Sequence, residues 1–123
     1  SYAFEDIEIV EKEIVSTLNA HGISTWFDKE NIRVSDYFER KILDGLKTCE
    51  WFLLAMSPNS AKSEWVKDEL HWAFKNKKEN ILPLIIKECD PEEFHVRLGR
   101  MYCARYDMYP DQVMGELVRR VLY

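Results

Sequence analysis

A chain of 123 residues, 46% hydrophobic and 32% charged, is long enough for one domain with a proper core and has the balance of a soluble globular protein. A formal net charge of −5 supplies no positive field to release counterions, which excludes non-specific binding to nucleic acid or to an anionic membrane. The three cysteines, Cys49, Cys89 and Cys103, are scattered and odd in number, which excludes a disulfide framework and a zinc site and favours a reducing, cytoplasmic compartment; no run of 18 apolar residues and no leader pattern is present.

The predicted elements alternate helix and strand. Ile7, Val10, Ile14 and Leu18 predict an amphipathic helix over 6–20, with Gly22 as its stop. ISTWF, 23–27, is β-branched and aromatic and reads as a short strand. Residues 28–35 form a polar loop. Ser35 then caps a helix whose apolar row is Phe38, Ile42 and Leu46. WFLLAM, 51–56, reads as a strand buried on both faces, and SPNSAK, 57–62, as a turn-rich loop. Ser63 caps the following helix, in which Val66, Leu70, Ala73 and Phe74 form the core-facing row. Trp65, Glu69 and Trp72, spaced +4 and +3, run beside that row. Lys75, Lys77 and Lys78 read as a solvated helix end favoured by the macrodipole.

ILPLII, 81–86, is a further buried strand, and its proline points to a bulge or an edge-like position. A loop or short helix over 87–99 leads to the strand candidate MYCARY, 101–106. Pro110 opens a closing helix carrying Val113, Leu117 and Val121. This alternation predicts a parallel sheet with helices on both faces: a flavodoxin-like α/β domain of three layers, a single unit over 1–123. The chain itself supplies four strands and about five helices. Because SYAFED is a helix approach with no strand in front, a fifth strand is expected upstream of Ser1 in a longer protein.

Several chemistries are excluded by absence. The four glycines, 22, 45, 99 and 115, form neither GxGxxG nor GxxxxGK[ST], so dinucleotide-fold and P-loop phosphate cradles are out. A receiver domain needs a phospho-accepting Asp at the end of its third strand, where this chain has Met56-Ser57. His21, His71 and His95 have no HExxH spacing and no nucleophile-elbow serine. What remains lies at the C-terminal ends of strands, where open α/β sheets bind ligands. Asp28 follows 23–27, Ser57 follows 51–56, Glu69 lies in the next helix, and Tyr2 and Phe4 open the chain. From these places an acidic pocket with aromatic walls can assemble. An ordinary surface glutamate beside core aromatics fits the spacing of Glu69 as well.

SYAFED, HGISTWFDKENI, CEWFLLAMSPNSAKSEWVKDELHWA and NILPLI resemble, in order and over essentially the whole chain, the successive boxes of a TIR (Toll and interleukin receptor) domain. SEWVKDEL carries the WxxxE pattern of members that cleave NAD. The resemblance implies a five-stranded flavodoxin-like fold and an NAD+ glycohydrolase or ADP-ribosyl cyclase, with NAD+ as substrate and neither cofactor nor metal. It implies Glu69 as the catalytic glutamate, Trp65 lining the nucleotide site, Tyr2 near the nicotinamide and Asp28 shaping the pocket, with Phe4 and Ser57 in the same pocket. DKENIRVSDYF matches the BB loop, so Asn31, Ile32, Arg33, Val34 and Ser35 are expected to mediate association with other TIR domains. Compact boxes look like those of bacterial TIR proteins of anti-phage defence, immune or cell-death signalling. The alternative is a non-catalytic TIR adaptor acting through TIR–TIR contacts alone. Neither nucleic-acid nor membrane contact is expected of this domain.

Overall fold

The computed structural model describes residues 1–26 and 46–123. The expectations for Phe27, Asp28, the BB loop Asn31–Ser35 and the helix row Phe38 and Ile42 fall outside the described residues. Leu46 is buried, and residues 46–48 are helical.

The core is built on two parallel strands, β1 (Phe52–Met56) and β2 (Ile81–Ile85), in register from Phe52↔Ile81 to Met56↔Ile85. The other edge of β1 holds Ser1, whose backbone nitrogen donates to Leu53 O at 2.6 Å and whose carbonyl accepts from Ala55 N at 2.9 Å. These two bonds are the parallel pairing pattern. Beyond β2 lies a single parallel bridge, Leu84↔Ala104, with Ala104 N donating to Pro83 O at 3.0 Å and Ile85 N to Ala104 O at 2.7 Å. MYCARY is therefore reduced from a strand to one bridge. Pro83 supplies the reason: its carbonyl faces Ala104, so its missing N–H would face the same way, and the ladder cannot extend toward residue 102. The proline is edge-like, as its sequence position predicts.

Strand alternation sends side chains to two helical layers. Phe52, Leu54, Met56, Ile81 and Ile85 pack with Val66, Leu70, Ala73 and Phe74 of the helix Glu64–Asn76. Ala55, Leu84 and Ile86 pack on the other face with Val10, Ile14 and Leu18 near the amino terminus and with Val113, Met114, Leu117 and Val118 of the helix Pro110–Leu122. Helices, in chain order, are named α1 (residues 4–20), α2 (Pro58–Ala61), α3 (Glu64–Asn76) and α4 (Pro110–Leu122). The fold is thus α/β with a parallel sheet between helical layers, as expected.

Local chemistry sets the element ends. α1 begins as the 3-10 turn Phe4–Asp6 and widens to a π-helix over Val10–Val15. It closes at Gly22, φ +76°, where Gly22 N bonds Asn19 O at 3.0 Å and Ile23 N bonds Leu18 O at 3.0 Å. This is the Schellman closure, and Ile23 packs in the same cluster as Leu18. Residues 23–26 carry no strand in this structure, and the expected strand 23–27 continues into residues that are not described. The expected loop 57–62 instead contains α2, because Ser57 and Ser60 form a reciprocal capping box and Pro58 opens the helix. Ser63 caps α3 as predicted, accepting from Val66 N at 3.2 Å. Residues 87–99 hold two 3-10 turns, Pro91–Glu93 and Val96–Arg100.

Tyr106 donates to Glu13 Oε1 at 2.5 Å and ties α1 to the segment preceding α4. Burial, then the Glu13 carboxylate, push its pKa above the usual tyrosine range. A raised folded-state pKa means a stabilisation complete below about pH 10, the unfolded value, and lost as pH rises past it. Tyr106→Phe is expected to cost about 1 kcal/mol at neutral pH and to flatten the decline in stability above about pH 10, read from urea melts at stepped pH. Leu70, 0% exposed, lies at the centre of the α3 contact with the sheet. Leu70→Ala should destabilise the chain by about 2–5 kcal/mol in the same assay at neutral pH.

Candidate functional site

The polar side chains at the C-terminal ends of the strands fall into two groups. In the first, Glu69 stands on α3, half-buried, and its Oε1 accepts from the Ser1 hydroxyl at 2.8 Å. Ser1 pairs beside Leu54, so its side chain shares the face of Leu54 toward α3. The two tryptophans flanking Glu69 divide the work. Trp72 packs against the core cluster under α3, whereas Trp65 keeps 39% of its surface in water. Trp65 lies about one helical turn from the carboxylate.

The second group is centred on Asp6, whose side chain is fully buried. It accepts from the Ser57 hydroxyl, from Asn59 Nδ2 at 3.1 Å and from Lys87 Nζ at 3.2 Å. Ser60 Oγ extends the network to Ala55 O at 2.9 Å. The ends of α1, β1 and β2 are therefore locked together by one satisfied buried charge, and among the described residues no buried polar side-chain atom lacks a partner. Ser57 is 0% exposed, with its hydroxyl committed to Asp6, so in this structure it holds the loop together from inside.

The other candidates are placed as follows. Tyr2 packs against the cluster on the opposite face of the sheet from α3. Phe4 is 47% exposed in the 3-10 turn that leads to Asp6. Asp28 and residues 31–35 lie outside the described residues. Ser1, Asp6, Asn59 and Lys87 were not singled out by the sequence. Lys87 directly follows a predicted strand, so the strand-end rule that selects Ser57 applies to it equally. The partnership of Ser1 with Glu69, 68 positions apart, leaves no local trace.

The chemistry available is that of a carboxylate. Among the described residues, no group of three or more His, Cys, Asp or Glu is arranged to hold a metal ion. All three cysteines are free thiols. Burial, followed by the neighbouring Cys103, pushes Cys89 up to about 11, and burial raises Cys49 and Cys103 as well, so none is a thiolate at neutral pH. A shallow groove of about 740 Å³ lies at the other end of β1, beside Trp51, Arg119 and Arg120, away from Glu69. No helix among the described residues is long and apolar enough to cross a membrane.

The chain matches the family model described as TIR domain over residues 1–118, and it belongs to that family. It is similar to the 2' cyclic ADP-D-ribose synthase BtTIR of Bacteroides thetaiotaomicron, 27% identical over 71 residues, covering 58% of this chain and 25% of that protein. It is likewise similar to the NAD(+) hydrolase TcpC of Escherichia coli, 30% identical over 70 residues, covering 57% of this chain and 23% of that protein. The chain thus spans about a quarter of the length of these curated relatives. The crystal structure of the TIR domain of a Toll-related receptor from Hydra magnipapillata shares the fold, with TM-score 0.75, 22% identity, and coverage of 97% of this chain and 91% of that one.

The Asp6 network generates a stability expectation. Asp6→Ala removes the acceptor shared by Ser57, Asn59 and Lys87 and should cost about 2–4 kcal/mol in a urea melt. Lys87→Ala should cost less, about 1 kcal/mol, because 48% of the Lys87 side chain is already in water.

Proposed function

We propose that this chain is a TIR-domain NAD+ nucleosidase in which Glu69 is the catalytic carboxylate. The observation that carries the reading is the WxxxE segment on α3, with Glu69 half-buried at the sheet edge and Trp65 exposed one turn away. Relatives named as a 2' cyclic ADP-D-ribose synthase and an NAD(+) hydrolase support it at the level of reaction class.

The bond broken is between ribose C1′ and the nicotinamide nitrogen. Its electron pair passes to the pyridinium ring, which leaves neutral, so no acid is needed to protonate the leaving group. This differs from ordinary glycosidases, which need a second carboxyl for an alkoxide leaving group. The cationic charge moves to an oxocarbenium-like ribose. One aimed carboxylate stabilises that charge electrostatically, and partial exclusion of water by Trp65 and the core under α3 strengthens the effect. Water or a nucleophile of the same nucleotide then captures C1′ and releases a proton, giving ADP-ribose or a cyclic form.

In this reading Trp65 supplies a stacking face, Phe4 borders the same end of the sheet, Asp28 has the pocket-shaping role that the TIR resemblance implies, and Ser57 supports the site through Asp6. The segment 31–35 serves association with further TIR domains, and activity requires that association. A role in anti-phage defence, immune or cell-death signalling, exercised in the cytoplasm, is part of the proposal.

Nicotinamide release from NAD+ by the associated wild-type protein is the test. Glu69→Ala and Glu69→Gln should each lower turnover by at least about 100-fold with folding intact. Unchanged turnover in both variants removes Glu69 from the mechanism. A wild type that releases no nicotinamide at any concentration favours an adaptor acting through TIR–TIR contacts.

A further inference from the structure

Ser1 has no assigned part in the proposed reaction, yet its hydroxyl touches the central group. Two backbone bonds hold Ser1 against β1, to Leu53 O at 2.6 Å and from Ala55 N at 2.9 Å. The position of its Cβ is therefore set by the sheet and not by a loop. From there the hydroxyl donates to Glu69 Oε1 at 2.8 Å. The terminal torsion of a glutamate is broad and weakly determined by itself. A hydroxyl anchored to the sheet narrows that freedom by holding one carboxylate oxygen.

We propose that Ser1 is a positioning residue for Glu69, orienting its carboxylate and favouring its ionised form. The inference rests on Glu69 being the catalytic carboxylate. Two effects separate it from a simple tie between α3 and the sheet edge. An oriented carboxylate acts on the transition state, so losing the orientation lowers kcat more than it changes KM. A hydrogen bond donated to the charged form also lowers a carboxyl pKa, so losing the donor raises it. A purely structural tie moves neither quantity once the chain is folded.

The test compares wild type, Ser1→Ala and Ser1→Thr. In Ser1→Ala, kcat for nicotinamide release should fall about tenfold with KM for NAD+ within about twofold. The acidic limb of kcat/KM should move up by about one pH unit, since the active form is the carboxylate. Ser1→Thr keeps the hydroxyl and should restore both. Carboxyl carbon NMR of Glu69 gives the same answer without turnover: its titration midpoint should rise by about one pH unit in Ser1→Ala and stay at the wild-type value in Ser1→Thr. An unchanged midpoint in Ser1→Ala, or a failure of Ser1→Thr to restore it, overturns the proposal. A wild type that cleaves no NAD+ contradicts the enzymatic reading alone, while the carboxyl titration still decides whether Ser1 governs the charge of Glu69.

Discussion

The structure depends on a constraint at β1: this strand is paired with β2 along one edge, held by Ser1 at the other, and covered on both faces. β2 holds one edge in full register, and Ser1 holds the other through two backbone bonds. Helix α3 covers one face, and α1 with α4 covers the opposite one. Four of the five residues of β1 are buried, and its apolar side chains pack into the two clusters on either face. Everything functional is positioned relative to this strand. Ser57 is the residue after its end, α3 carries Glu69 past its edge, and Ser1 reaches Glu69 from the position beside Leu54.

The carboxyl ends of the strands carry two polar arrangements with different physical characters. Asp6 is fully buried and bonded to Ser57, Asn59 and Lys87, which makes it a lock joining three chain segments. Such a network is costly to disturb from either side, because each partner would be left in a low-dielectric setting without compensation. Glu69 is only half-buried and lies one helical turn from an exposed tryptophan. A rigid frame beside a partly accessible carboxylate is what preorganised charge stabilisation requires, since the frame and not the reacting ligand bears the cost of ordering.

Much of this was legible in the sequence where periodicity and local chemistry agree. The row Val66, Leu70, Ala73, Phe74 is buried, Ser63 caps its helix, and Pro83 marks the place where the sheet stops extending. Where the structure differs, at 57–62 and 101–106, the deciding partner is a side chain or a neighbouring strand and not the local composition. Ile23 closes the preceding helix through its backbone and packs in the same cluster as Leu18. Residues 101–106 have strand composition, but a proline on the neighbouring strand denies them a ladder. The polar run after β1 became a helical turn because Ser57 and Ser60 cap each other. Within the candidate site, Glu69 and Trp65 are marked by the resemblance of SEWVKDEL to the WxxxE pattern, whereas Ser1, Asp6 and Lys87 act through contacts 68, 51 and 81 positions away in sequence, which no periodicity encodes.

The central claim is geometric as much as chemical: Glu69 faces the ribose that carries the departing nicotinamide. The most direct measurement is a crystal structure of the Glu69→Gln variant with NAD+ bound. The account predicts a nicotinamide ribose hydroxyl within about 3.5 Å of the residue 69 amide, with a ring of the dinucleotide against Trp65. NAD+ bound elsewhere on the domain, with residue 69 remote from the ribose, would contradict it.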